Sequence, residues 1–202
     1  MRWLVAFIAA VSIVQFADAT PTRAAGWVTH HSTAKPGFSV QTPSSWIDFT
    51  RLSPQVLVLI RTKPVWRAYA QIAARSKAIK MILVDRATVA GSPFHTNLDV
   101  VQLPSGRSSL RDQRAATIAG IEGTGVVVGP LRSSLVRLPA GEALEIHYQA
   151  RSGVAAPLIA QQQFVFVRDG YETVLTYSTA AAAASQYAAM IRAGSRSFRF
   201  AN

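Results

Sequence analysis

The chain has no cysteine among its 202 residues. That excludes disulfide stapling, thiolate metal sites, a cysteine nucleophile and a lipid-bearing N-terminal cysteine. Acidic residues are also scarce: 10 Asp and Glu stand against 21 Lys and Arg, giving a net charge of +11. A chain so poor in carboxylates has little to build acid–base pairs or hard-cation sites from, and its charge favours anionic partners. No internal repeat is present, and the alanine run at residues 180–184 is the only biased segment. Beyond the N-terminus no apolar stretch approaches the roughly 20 residues of a membrane span.

The N-terminal segment reads as a targeting signal. Met1-Arg2-Trp3 is a short positive region, residues 4–16 are apolar apart from Ser12 and Gln15, and Ala17-Asp18-Ala19 has the A-x-A form of a cleavage site. Residues 1–19 are therefore expected to be a signal peptide cut after Ala19, with an uncleaved membrane anchor as the alternative. Loss of one Arg and one Asp leaves the net charge unchanged. Residues 20–35 are small, polar and unpatterned and are expected to form a flexible lead-in, followed by a single domain over 36–202. An exported chain without disulfides must be held by its core.

The strongest local pattern is at the C-terminal end. Residues 163–168 read as a strand, Asp169-Gly170 is a type I′ hairpin signal, and 171–177 return with Tyr171, Thr173, Leu175 and Tyr177 on one face and Glu172, Val174 and Thr176 on the other. Ser178 or Thr179 is expected to cap a helix ending at Gly194, and 197–200 to close as a short strand. Upstream, residues 37–42 read as a strand, Pro43 to Trp46 as a turn that places the indole in the core, and Ser53-Pro54 as a cap with proline at the first helical position. Pro64 restarts a helix to about Ala78 with Trp66, Tyr69 and Ile72 inward. Strands follow at 79–84 and 97–103, with a loop at Gly91-Ser92-Pro93. A capping box at Ser109 and Asp112 opens a helix running to Ile121. Two strands at 126–128 and 133–138 are split by Gly129-Pro130, and 144–148 form a strand with one apolar face. Helices interleaved with hairpins predict an α+β fold with helices packed on a mainly antiparallel sheet.

These short motifs carry a resemblance. Phe38-Ser39-Val40 with Pro43 and Trp46, Phe94 with Asn97-Leu98-Asp99-Val100, Gly141-Glu142-Ala143 before 144–148, and Gly170-Tyr171, Leu175-Thr176-Tyr177 and Ser197-Phe198 are together similar to the PsbP-like superfamily, and among its exported bacterial members to the LpqN-like envelope proteins. The resemblance spans about 36–200. It implies a three-layer α/β/α sandwich around an antiparallel sheet and a non-enzymatic accessory or binding role. The helical stretch at 53–78 and the missing lipobox cysteine are departures from that pattern.

No residue set points to catalysis. His30-His31 point apart on an extended chain with no third ligand in the sequence nearby. His95 is isolated, and His147 falls on the polar side of its strand. Glu142 and Glu145, three apart on a strand, face opposite ways. The glycines at 120–125 end a helix, whereas a phosphate loop precedes one. No metal or cofactor is expected. The patterned surface is a stripe on the helix after Pro64: Lys63, Arg67, Gln71 and Arg75 recur four apart, and no acid lies between Arg51 and Asp85. Lys63, Arg67 and Arg75 are the candidate contacts for an anionic polymer or lipid headgroup. The expected function is an exported, non-catalytic domain that binds an envelope protein or anionic polymer. Nucleic acid is not expected as a partner. An enzyme with a scattered site and a protein held at the membrane surface are the alternatives.

Overall fold

A computed structural model describes residues 26–51, 53–62, 64–88, 94–106 and 108–201. The residues of the expected signal peptide, Ala19 included, and the loop at Gly91-Ser92-Pro93 lie outside these. The chain runs β1 (Trp27–Ser32), β2 (Phe38–Pro43), β3 (Trp46–Asp48), α1 (Pro54–Thr62), α2 (Pro64–Arg75), β4 (Ile79–Thr88), β5 (His95–Pro104), α3 (Leu110–Glu122), β6 (Val127–Leu138), β7 (Gly141–Ala150), β8 (Ile159–Arg168), β9 (Tyr171–Ala180), a single 3-10 turn, α4 (Ala184–Ser197) and β10 (Arg199–Phe200).

The central layer is a seven-stranded antiparallel sheet in the order β3-β4-β5-β9-β8-β7-β6. Helices α1, α2 and α3 cover one face. Helix α4 and a small sheet, β1-β2-β10, cover the other. The fold is thus α+β, a three-layer sandwich.

Alternation along the strands sorts side chains between the layers. Leu98, Val100, Phe164, Phe166, Leu175 and Tyr177 face α4 and pack with Phe38, Ile191 and Phe198. On the opposite face Ile82, Val84 and Val101 meet Trp66 and Val56 beneath α1 and α2, while Leu144, Ile146 and Val165 meet Leu110 and Ile121 of α3.

Local chemistry accounts for the connections. Asp169 (φ 52°) and Gly170 (φ 77°) both take the positive φ that a type I′ turn requires. The Ser109 Oγ accepts from the Asp112 amide and the Asp112 carboxylate accepts from the Ser109 amide, a complete capping box. The Ser53 Oγ accepts from Val56 N at 3.3 Å at the start of α1.

Four sequence expectations are corrected. Residues 27–32, expected as part of a flexible lead-in, form β1, because the segment pairs along β2 from Trp27 opposite Pro43 to Ser32 opposite Phe38. Strand β9 continues to Ala180, so neither Ser178 nor Thr179 caps a helix; both are buried, and α4 starts after a 3-10 turn without a side-chain cap. Gly194 lies inside α4 and does not end it. Gly129-Pro130 does not split a strand: β6 is continuous and absorbs the interruption as a bulge between Val128 and Arg132, with Gly129 at φ 76°.

Candidate functional site

Helices α1 and α2 shield the β3-β4 side of the sheet, and α3 packs on β7 and β8. Between these covers the floor is made by the central strands. Cross-strand partners share a face, so the register can be read across the sheet. Val84, Asn97, Ser178, Gln161 and Tyr148 form one row. Ile82, Asp99, Thr176, Gln163 and Ile146 form the next. The row beyond, Val101, Val174, Val165 and Leu144, is apolar, as are Ala180, Ile159 and Ala150 on the other side. Two polar rows are therefore inlaid in an otherwise apolar face.

Their hydrogen bonds leave free capacity. Gln163 Nε2 donates to the Tyr148 hydroxyl at 3.0 Å, and that hydroxyl donates to Gln161 Oε1. Asn97 Nδ2 donates to His95 O at 3.1 Å and to the Tyr69 hydroxyl of α2 at 3.4 Å. Among the described residues no hydrogen bond or ion pair reaches the Asp99 carboxyl, the Thr176 and Ser178 hydroxyls, Gln161 Nε2, Gln163 Oε1 or Asn97 Oδ1. Asp99 is only 7% exposed, and burial pushes its carboxyl up to about 7. Burial also raises the Tyr69 and Tyr148 phenols, so both remain neutral.

The basic stripe on α2 is a different surface. Arg67 is exposed on the outer side of the helix, while Trp66 is buried, stacks on Phe49 at 5.5 Å between centroids and meets the His95 ring at 4.4 Å. Lys63 lies outside the described residues, and so does the Arg75 side chain.

The histidines divide three ways. His95 is buried, with Nδ1 2.9 Å from Asp85 O. His147 is exposed and pairs with Glu145 at 3.0 Å, while Glu142 lies exposed on the opposite side of β7. His30 is not in an unstructured segment: its Nε2 lies 3.0 Å from Thr42 Oγ1 and its Nδ1 4.0 Å from Asp48 Oδ2. The order hydroxyl–imidazole–carboxylate has the outline of a hydrolase triad. Thr42 is fully buried, however, so no substrate carbonyl can reach it, and 4.0 Å is too long for the orienting hydrogen bond. Burial lowers the His30 imidazole below its ordinary range, with Asp48 opposing that. No group of three or more potential metal ligands occurs among the described residues.

Sequence reasoning missed the polar floor. Its signal was present: Asn97 and Asp99 alternate with Leu98 and Val100, and Thr176 falls on the face opposite Leu175 and Tyr177. What pattern alone does not show is that β5 and β9 are central strands, so that their polar residues lie between the helical covers and not at the outer surface.

The arrangement of three layers, seven antiparallel strands and helices on both faces matches known structures. Cyanobacterial PsbP (CyanoP) from Synechocystis sp. PCC 6803 superposes with a TM-score of 0.57 over 92% of this chain and 98% of that one, at 13% identity. The fold is PsbP-like. LpqN of Mycobacterium tuberculosis, described as involved in cell envelope biogenesis, gives 0.51 over 87% and 92% at 11% identity. The Saccharomyces cerevisiae Ran-binding protein Mog1p gives 0.52 over 87% and 95% at 9% identity. No family profile and no curated protein matches the sequence. On the PsbP-like sandwich of this chain, the polar floor occupies the middle of the face shared by α2 and α3.

Proposed function

We infer that this chain is an exported, non-catalytic accessory domain that binds an anionic component of the cell envelope. One observation carries the reading: folding sorts the charges. Asp85, Asp99 and Glu172 are buried, and Asp48 and Glu145 are half-buried and engaged with neighbours. Among the described residues the acids left at the surface are Asp112, Glu122, Glu142 and Asp169. Of these, Asp112 is bonded into its cap and Asp169 lies 3.5 Å from Arg168. The arginines, by contrast, lie outside: Arg51, Arg61, Arg67, Arg111, Arg132, Arg137, Arg192 and Arg196 are all exposed. The surface is more cationic than the composition. In the sequence the stripe of Lys63, Arg67 and Arg75 has a regular spacing and no acid in its own segment, and of the three Arg67 is described and exposed.

The same fold serves a protein involved in cell envelope biogenesis and a Ran-binding protein, neither described by a reaction, which supports an accessory role. Export rests on the signal segment ending at Ala19. No helix among the described residues is long and apolar enough to cross a membrane. N-terminal sequencing of the protein recovered from its producing cell should start at Thr20; a start at Met1 removes cleavage after Ala19 from the reading. Binding is tested with anionic cell-wall polymer and, separately, with phosphatidylglycerol vesicles. A triple variant, Lys63→Ala, Arg67→Ala and Arg75→Ala, should remain folded and lose most of the salt-sensitive binding. Equal binding by the two proteins would reduce the stripe to a solvated helix face.

A further inference from the structure

We propose that the polar floor between α2 and α3 is a binding site for a neutral saccharide of two or three sugar units. The inference goes beyond the charge-driven reading above and does not depend on it.

The chemistry of the floor selects the ligand class. It presents carboxamides, hydroxyls and one carboxyl, with no lysine or arginine in either polar row. A phosphate or carboxylate ligand would find no counter-charge there and would face the Asp99 carboxyl. A purely apolar ligand would leave these groups without hydrogen bonds, at a desolvation cost. A polyhydroxylated ligand meets both conditions, since each hydroxyl donates and accepts. The open capacity is mixed in that sense: Gln161 Nε2 donates, Gln163 Oε1 and Asn97 Oδ1 accept, and the Thr176 and Ser178 hydroxyls do either.

Asp99 is the observation that sets this site apart from an ordinary polar strand. It is more than nine-tenths buried in the centre of a sheet, with no hydrogen bond or ion pair among the described residues. Buried carboxyls are normally partnered. Burial raises it to about 7, so near neutral pH part of the population carries the proton and can donate as well as accept.

Dimensions agree. Four strands at about 4.8 Å spacing place Asn97 and Tyr148 about 14 Å apart, and the two rows lie about 7 Å apart along the strands. That is an elongated patch the width of one sugar ring. The Tyr148 and Tyr69 rings stand at its two ends, each with its hydroxyl already held by the floor.

The test titrates the purified chain with chitotriose, cellotriose and maltotriose while amide chemical shifts are followed. At least one should bind with a Kd of about 1 mM or tighter. Shifts should be confined to β5, β8, β9, the part of β7 around Tyr148 and the part of α2 around Tyr69, and affinity should be unchanged by added salt. Gln161→Ala and the near-isosteric Thr176→Val, both at half-exposed positions, should each weaken binding about fivefold or more. Arg67→Ala should not weaken it. Absence of any shift at about 10 mM sugar, or equal binding by both floor variants, overturns the proposal. Sugar binding that disappears with Arg67→Ala would also overturn it, by placing the site on the basic stripe. Because the sugar arm is insensitive to salt and the envelope arm is sensitive to it, either reading can fail while the other stands.

Discussion

Asp99 makes the protein's stability depend on pH in an unusual direction. Most carboxylates are stabilised in the folded state and favour folding as pH rises. Asp99 is the reverse. Its folded-state value is raised from 3.8 to about 7, so the native protein holds a proton that the unfolded chain releases. Stability from this group is fully present below about pH 4 and is lost progressively as pH rises through about 7. Asp99→Asn removes the ionisation and keeps the shape. The variant should match wild type near pH 4 and exceed it at pH 8, by an amount on the order of 2–4 kcal/mol. Denaturant melts at the two pH values measure the difference, and a variant less stable than wild type at pH 8 would show that the ionised carboxyl is held by a favourable contact. Burial raises Glu172 in the same direction, so the wild-type slope should flatten in the variant without vanishing. In the sequence Asp99 is one acid in an alternating strand, and nothing there separates it from a solvent-facing residue. Its burial comes from the position of β5 in the strand order, which is a property of the whole sheet.

At the scale of elements, most of the fold was legible where a local chemical requirement fixes it. Asp169-Gly170 supplies positive φ, Ser109 and Asp112 close a cap, Ser53-Pro54 starts α1 and Pro64 starts α2. The errors fall where long-range pairing overrides local preference. Strand β1 carries no apolar periodicity and forms because β2 offers it an edge. Strand β9 runs on through Ser178 and Thr179 because β5 and β8 pair with it on both sides.

Gly194 shows the same lesson within a helix. A methyl group there would sit 2.6 Å from the Tyr177 hydroxyl and 3.3 Å from Gln41 O. Tyr177 is fully buried in the sheet and has no room to retreat. The glycine is thus a contact residue that lets α4 approach β9 and β2, not a terminator. Alanine improves helix propensity by about 1 kcal/mol, while overpacking costs about 1–3 kcal/mol. Gly194→Ala should therefore lower the melting temperature by a few degrees, at roughly 2–4 °C per kcal/mol for a chain of this size. A rise in melting temperature would mean that α4 shifts to accept the methyl group without penalty.

For the whole molecule, the charge imbalance in the sequence becomes a surface property because the sheet takes up acids and leaves the arginines outside. The sequence showed the sign of that charge and the α2 stripe. It could not show that Asp48, Asp85, Asp99 and Glu172 would be withdrawn from the surface, since that depends on which strands lie inside. The consequence is electrostatic attraction at the outer faces, with the α2 stripe as the proposed contact, screened beyond about 8–10 Å at physiological ionic strength. The most direct test is equilibrium binding of the purified chain to phosphatidylglycerol vesicles, to phosphatidylcholine vesicles and to anionic cell-wall polymer across a salt series. Binding to at least one anionic surface should fall on the order of tenfold between about 50 mM and about 500 mM salt, with no comparable binding to the neutral vesicles. Binding that is absent from both anionic surfaces at low salt, or that is equally strong on neutral vesicles and unaffected by salt, would contradict the account.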